Sequence, residues 1–293
     1  MVKLSPFSLA QKIRQLHQTG EQGVRTLVVR VAALKKHREN RMTVESQQDV
    51  DGILETGRIV ARIRDQMLQA IEPGMTTAEL DELGAALLDK YEARSAPRVT
   101  YGFPGATCIS VNEEAAHGIP GARVIQTGDI VNVDVSAEKG GYFADTGGTM
   151  VVPPGSPMKT RLCHATQQAL EHAMVAATAG APINRIGKAI QRTAKAHGFK
   201  VIRNLAGHGI GRSLHEEPED IVGFFDRHDS RRLGLGQVIA IEPLLSTRST
   251  FVTEGEDGWT LIGHPLNRSA QYEHTIIVTR GAPIVATRSE ARA

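Results

Sequence analysis

Asp134 and Asp145 lie eleven residues apart on either side of Lys139, Gly140 and Gly141, a spacing that can bring two carboxylates onto one face of a β-hairpin. Val131, Val133 and Val135 alternate with Asn132, Asp134 and Ser136, the period-two pattern of a strand with one buried face. A turn centred between Lys139 and Gly140 sets Asp134 directly opposite Asp145. Side chains so paired have Cβ atoms roughly 4.5 to 5.5 Å apart, and like charges placed there repel. Two solvated carboxylates on an exposed hairpin are the plainer reading of such a pair. The valines flanking Asp134 argue against easy solvation, so a bound cation becomes the leading explanation.

Three further residues carry the same chemistry. His208 stands between Gly207 and Gly209, with His215 seven residues on; glycines on both sides allow close backbone approach and release the histidine from regular helix or strand geometry. Glu242 closes a β-prone run that starts at Gly236 and is broken by Pro243, and Glu273 lies inside a second run, Ser269 to Val278. A lone histidine or a lone strand glutamate is ordinarily structural or solvated. Together these residues make four carboxylates and one imidazole on or beside strands, and such acids drive one another's pKa values upward unless cations take up the charge. Two divalent ions would do so, since paired hydrolytic metals sit about 3.5 to 4 Å apart and carboxylates bridge them. One imidazole among oxygen ligands suits Mn²⁺, Fe²⁺, Co²⁺ or Zn²⁺, without a choice among them.

The elements that must position these groups follow from periodicity. A helix is expected from Asp49 to Ala70, with Ile53, Gly57, Val60 and Met67 on one face, stopped by Pro73 and Gly74. Thr76 or Thr77 caps a second helix carrying Leu80, Leu83, Leu87 and Leu88. The order recurs about 106 residues later: a helix from Met158 to Ala179, a break at Gly180 to Pro182, then a helix through Ile186, Ala189, Ile190 and Ala194. Each pair precedes a β segment with a histidine beside glycine, His117 in the first case and His208 in the second. The pattern predicts a duplicated αβ unit, with pseudo-repeats at about 49–155 and 156–280.

With 293 residues, 41% hydrophobic and 23% charged, the chain has the composition of a globular protein with a sizeable core, and no apolar run is long enough to span a membrane. Cys108 and Cys163 form neither a disulfide framework nor a Cys-x-x-Cys motif. The net charge of +2 hides an asymmetry, because residues 1–42 carry nine Lys or Arg against Glu21 and Glu39. Two short helical patterns run there, Leu9, Ile13 and Leu16, then Leu27, Val31 and Leu34. We therefore expect a basic, helical N-terminal extension over 1–43 and a catalytic domain over 44–293. The arm suits an anionic partner such as a ribosome, and its Arg-rich, acid-poor composition also resembles an organellar transit peptide.

The ordered motifs carry a family resemblance. Asn112, Glu113, His117, Gly118, Ile119 and Pro120, then Asp134 and Asp145, then Gly207 to Arg212 with His215, Glu216, Glu217 and Pro218, then Ile241, Glu242 and Pro243, and last Gln271 to Thr275 together resemble the methionine aminopeptidases, over roughly Val44 to Arg280. The resemblance implies the α/β (α+β) "pita-bread" fold, two αβ halves related by a pseudo-twofold around a central antiparallel sheet and a dinuclear metal site. Glu242 and Glu273 are only 31 positions apart, which leaves no room for the helical insert of type II enzymes, so the likeness is to type I.

What the resemblance implies for single positions is specific. Asp145 and Glu273 bridge two divalent ions, Asp134 chelates one, and His208 and Glu242 complete the other. A metal-activated hydroxide attacks the first peptide bond, Glu242 shuttles the proton, His215 polarises the scissile carbonyl, and His117 binds the peptide beyond it. The methionine pocket maps onto Phe103, Cys108, Leu214, Trp259 and Thr100. Thr100 stands where the bacterial pattern commonly has Tyr, Pro97 where it has Cys, and Leu214 where it has Phe. Each lost thioether–aromatic contact weakens methionine binding by about 0.3 to 1.5 kcal/mol. The partners implied are nascent polypeptide N-termini, met by a cytoplasmic monomer. A prolidase or Xaa-Pro aminopeptidase shares the ligand set and is the alternative enzyme, and a non-enzymatic pita-bread binding protein is the alternative of another class.

Overall fold

Strands that are short everywhere except in one hairpin set the architecture. The computed structural model describes residues 44–289, so the two helices expected in 1–42 lie outside the described residues. Helix α1, Gln47–Ala70, begins where Ser46 and Asp49 form a reciprocal capping box, and it buries Ile53, Gly57, Val60, Ile63 and Met67 on one face. Helix α2, Thr77–Lys90, starts with a second such box between Thr76 and Glu79. Strand β1, Arg94–Ser95, leads into the short helix α3, Ala96–Tyr101, which ends at Gly102 in the left-handed conformation, φ 71°. Then come β2, Cys108–Val111, β3, Glu114–Ala116, and the long hairpin of β4, Ile130–Lys139, and β5, Tyr142–Val151.

The second part opens with α4, Pro157–Ala176, and α5, Asn184–Ala196. Helix α4 ends three residues short of the expected Ala179, because Ala177 leaves helical geometry at ψ 69° and Thr178 bridges to Thr279. Strands β6, Lys200–Val201, β7, Ala206–Gly209, β8, Glu216–Val222, β9, Val238–Ile241, and β10, Leu244–Ser246, follow. The rest are β11, Thr253–Glu254, β12, Leu261–Ile262, β13, Ser269–Gln271, β14, His274–Ile277, and β15, Ile284–Val285. The single strand expected over Ser269 to Val278 is thus two, broken at Tyr272 and Glu273 where the chain changes partner: β13 pairs with β10, and β14 with β9.

All pairings between these strands are antiparallel, and only the isolated bridge of Thr178 to Thr279 among the described residues is parallel. Strands β5, β2 and β1 pair with β4 in one sheet, and a five-stranded sheet runs β15-β14-β9-β7-β8. One core cluster packs α1 and α2 on β2 and β4 through Val60, Ile63, Met67, Ile109 and Val133. A second packs α4 and α5 on β9 and β14 through Leu162, Ile186, Ile190, Ile239 and Ile276. Burying a side chain of this size stabilises the fold by about 1.5 to 3 kcal/mol.

Side chains stitch the two layers together along β5. The Asp145 N–H donates to Thr275 Oγ1 at 2.9 Å, and the Thr275 hydroxyl donates to the Asp145 carbonyl at 2.8 Å. The Thr146 hydroxyl reaches the Glu273 carbonyl at 2.8 Å, the Glu273 N–H reaches the Gly147 carbonyl at 3.0 Å, and the Thr149 hydroxyl reaches the Gln271 carbonyl at 2.7 Å. Five hydrogen bonds thereby fix the height of Asp145 in one layer against Glu273 in the other.

Candidate metal centre

The hairpin register differs from the expected one. Lys139 pairs with Tyr142 across a two-residue turn in which Gly140 and Gly141 both have positive φ, 59° and 83°, a turn whose twist suits antiparallel strands. Asp134 therefore opposes Gly147, and Asp145 opposes Ser136. A slip of two residues keeps both carboxylates on one face as diagonal neighbours, close enough that the Asp145 carboxylate raises that of Asp134.

His208 is also placed differently from expectation: it lies within β7, opposite Ala240 of β9. The glycines serve close approach instead of freedom from the strand. A Cβ on Gly207 would stand 2.3 Å from the Ala240 carbonyl oxygen, and one on Gly209 would stand 2.4 Å from that of Glu217. The His208 Nδ1–H donates to the Gly209 carbonyl at 2.9 Å. A carbonyl only accepts, so Nε2 carries the lone pair, and Nε2 lies 4.0 Å from Asp145 Oδ2 and 3.8 Å from Glu242 Oε1. Glu242 follows β9 directly, one residue past its end.

Asp145, His208 and Glu273 each offer a ligand atom within 4.8 Å of the others, and all three residues are buried. Asp134 Oδ1, Asp145 Oδ1 and Glu273 Oε1 are buried oxygens without a hydrogen-bond partner among the described residues. Unpartnered buried carboxylate oxygens are costly, and a divalent cation is the partner that satisfies several at once. Burial, and then the Asp145 charge, pushes the Asp134, Glu242 and Glu273 carboxyls up, Glu242 to about 8. Burial draws His208 down despite Asp145 nearby, keeping the imidazole neutral and able to ligate. The donor set fits a metal.

Gln271 belongs to the motif that carries the resemblance, but the sequence assigns it no role of its own. Its Nε2 faces Asp134 Oδ2 at 3.4 Å, Glu242 Oε2 at 3.3 Å and Glu273 Oε2 at 3.1 Å, while Asn132 Nδ2 donates to its Oε1 at 2.9 Å. Gly147 makes this possible, since a Cβ there would stand 2.2 Å from Gln271 Oε1. Behind the cluster the buried Arg64 guanidinium donates to Thr146 Oγ1, the hydroxyl that supports Glu273. Nothing in the helical spacing of Arg64 signals that contact.

Cys108, His117 and His215 lie beside the cluster. Cys108 opens β2 opposite Asp134, and burial with Asp134 and Asp145 nearby pushes its thiol up, so it enters as a neutral side chain. His117 follows β3 with φ 54°, and burial, then His208, lowers it to about 4. His215 stacks near His208 with ring centroids 4.0 Å apart, and burial, then His208 and His117, holds it well below its usual range. Phe103 is buried edge-on against Trp259 at 5.2 Å. Leu214 packs into a core cluster with Ile53, Tyr142 and Ile210. Thr100 lies on the exposed side of α3, and its neighbour Tyr101 makes the contact with His215.

Comparison with known proteins follows the same lines. The model of metallopeptidase family M24 matches residues 51–280. A methionine aminopeptidase of Staphylococcus epidermidis is 47% identical over 248 residues, 84% of this chain and 99% of that one. Methionine aminopeptidase 2 of Bacillus subtilis is 44% identical, over 84% of this chain and all of that protein (100%). The crystal structure of methionine aminopeptidase from Thermotoga maritima matches with a TM-score of 0.81 at 32% identity, covering 85% of this chain and 99% of the other.

Proposed function

The chain belongs to metallopeptidase family M24 and has its pita-bread fold, and from that premise we propose that it removes the N-terminal methionine from nascent proteins and peptides by hydrolysing the first peptide bond. The observation that carries the reading is the buried trio of Asp145, His208 and Glu273, with the bare Nε2 of His208 turned to the acids. Asp134, Asp145, His208, Glu242 and Glu273 would hold two divalent ions, from among Mn²⁺, Fe²⁺, Co²⁺ and Zn²⁺, which when bound supply Lewis acidity to a water molecule and to the substrate carbonyl.

The protein's own groups perform the rest. Glu242, ionised once the cations offset the neighbouring acids, takes the proton of the attacking water and passes it to the leaving amine as the C–N bond breaks. His215 donates to the carbonyl oxygen as negative charge develops there, and His117 holds the peptide beyond the scissile bond. Gln271 anchors the acids in place. Phe103, Cys108, Leu214 and Trp259 line the methionine side chain, with Thr100 at the rim. No described helix is long and apolar enough to cross a membrane. The reading is of a cytoplasmic monomer whose basic residues 1–42 meet the ribosome; equal co-sedimentation of full-length and arm-deleted protein with ribosomes would remove that last role.

The test is release of the N-terminal residue from Met-Ala-Ser and from Xaa-Pro peptides by metal-stripped protein, with each ion restored in turn. Metal-dependent release of methionine is expected, with none from an Asp145→Asn variant. Preference for Xaa-Pro would move the assignment to a prolidase-like hydrolase. No release with any ion, from folded protein that binds two, would leave a binding protein.

A further inference from the structure

His208 and His215 are ring neighbours, yet their Nδ1 atoms face opposite chemistry. Nδ1 of His208 meets a carbonyl, which only accepts. Nδ1 of His215 meets the Tyr101 hydroxyl at 2.6 Å. A phenol is a strong donor and a weak acceptor, whereas an imidazole nitrogen lone pair is a strong acceptor, so the short contact is best made as O–H···N. We propose that Tyr101 is a positioning residue for the proposed hydrolysis: its hydroxyl, donating to Nδ1 of His215, holds that imidazole as the Nε2–H tautomer and makes it the donor to the scissile carbonyl. The inference rests on the aminopeptidase reading for the role of His215, though the tautomer stands on the contact alone.

The local fold holds Tyr101 to this task. Tyr101 is the last residue of α3, and Gly102 ends the helix with φ 71° while its N–H donates back to the Arg98 carbonyl. The start of α3 is tied by Ser95, whose hydroxyl donates to the Ala106 carbonyl at 2.7 Å. Phenol and imidazole pack at 5.6 Å between centroids and 50° between planes, which limits rotation of both. On the other side, the Ser213 hydroxyl donates to the His215 carbonyl at 3.0 Å and fixes its main chain. Burial pushes the Tyr101 phenol up to about 12, so it enters the contact protonated. The same amino-acid type is thereby used twice at one site, as a ligand when its Nδ1 finds an acceptor and as a donor when its Nδ1 finds a hydroxyl.

Tyr101→Phe removes the hydroxyl and keeps the ring. The experiment compares the full-length zinc-loaded protein and this variant, labelled with ¹⁵N-histidine, by long-range ¹H–¹⁵N correlation, and measures kcat and KM on Met-Ala-Ser. In the unsubstituted protein His215 should show a protonated Nε2 and a bare Nδ1. In Tyr101→Phe the two nitrogen shifts should move toward those of a tautomer mixture, with kcat down about tenfold or more and KM within about twofold, the split of a group that acts only as charge develops. Protonated Nδ1 in the unsubstituted protein overturns the proposal, as does a variant with unchanged shifts or unchanged kcat. If neither protein releases methionine, the aminopeptidase reading fails, and with it the positioning role, while the spectra still decide the tautomer.

Discussion

The buried acids and the residues proposed to meet the substrate differ in how the chain builds them. Asp134, Asp145, His208, Glu242 and Glu273 sit on strands or one residue beyond, and bonds from Thr275, Thr146 and Gln271 fix them across the two layers. His117, Tyr101, His215 and Trp259 instead stand at element ends and in loops, where a positive φ at His117 or one hydroxyl contact at Tyr101 sets the direction of the side chain. Groups on strands are held by the sheet ladder and its cross-layer bonds, whereas groups at element ends take their direction from single contacts. The comparison predicts that damage to the first region abolishes activity and damage to the second retunes it.

The largest effect should follow a direct attack on the strand-borne cluster. Asp145→Asn should reduce kcat/KM by about a thousandfold or more, since metal activation is worth several kcal/mol and each tenfold costs 1.36. Bound metal measured by calorimetry should fall with it. Activity within tenfold of the unsubstituted protein would mean that Asp145 is not a ligand and that the two regions do not differ as argued. Gly147→Ala attacks the same region indirectly, because its Cβ would stand 2.2 Å from Gln271 Oε1 and displace that amide. Loss of such supporting contacts should weaken metal affinity about 10- to 100-fold, with Gln271→Ala giving a similar loss. A Gly147→Ala variant that binds metal normally would show the Gln271 amide to be dispensable.

Those two substitutions also mark what a sequence makes legible. Alternation of valine with polar residues was enough to place Asp134 and Asp145 on one face, and an error of two residues in the turn left that conclusion intact because side chains repeat with period two. Thr76 was one of the two caps expected for α2, whereas the capping box of Ser46 starts α1 at Gln47, two residues before the expected Asp49. Gln271 was hidden because its role depends on the missing side chain of Gly147 on another strand, and Tyr101 because the exposed Thr100 beside it matched the expected position. The break at Tyr272 and Glu273 was hidden too, since it reflects a change of pairing partner and no Gly or Pro marks it.

A smaller effect separates the acids from the rest of the fold through pH. In metal-stripped protein the carboxyls of Asp134, Glu242 and Glu273 have folded-state pKa values above their unfolded ones, Glu242 about 8 against 4.5. The folded state then binds more protons than the unfolded state between those values, so stability falls as pH rises through that window. His117, lowered from 6.5 to about 4, acts oppositely below pH 6.5, where the unfolded chain is the better proton binder. The clean interval is therefore pH 6.5 to 8. There Glu242 alone should cost chelated protein about 1 to 2 kcal/mol, at up to 1.36 kcal/mol per pH unit, with Asp134 and Glu273 acting in the same direction, and saturating divalent metal should flatten the slope. A flat profile in chelator, read from thermal melts, would show that the acids are not crowded as described.

The smallest effect belongs to the loop residue Trp259, and its size is what makes it informative. Trp259 meets Phe103 edge-on at 5.2 Å from a loop, and in the proposed pocket both rings face a thioether. Trp259→Leu keeps an apolar wall but loses the ring, so it forfeits about 0.3 to 1.5 kcal/mol of sulfur–aromatic attraction, or roughly a 2- to 12-fold rise in KM for Met-Ala-Ser. Because the thioether is bound alike before and during the chemical step, kcat should stay within about twofold. Substrates with norleucine in place of methionine lack the sulfur, and their KM should barely respond to the same substitution. A fall in kcat comparable to that of Asp145→Asn would mean that the loop holds the metal cluster as well as the substrate; equal losses for methionine and norleucine would mean that Trp259 supplies only shape.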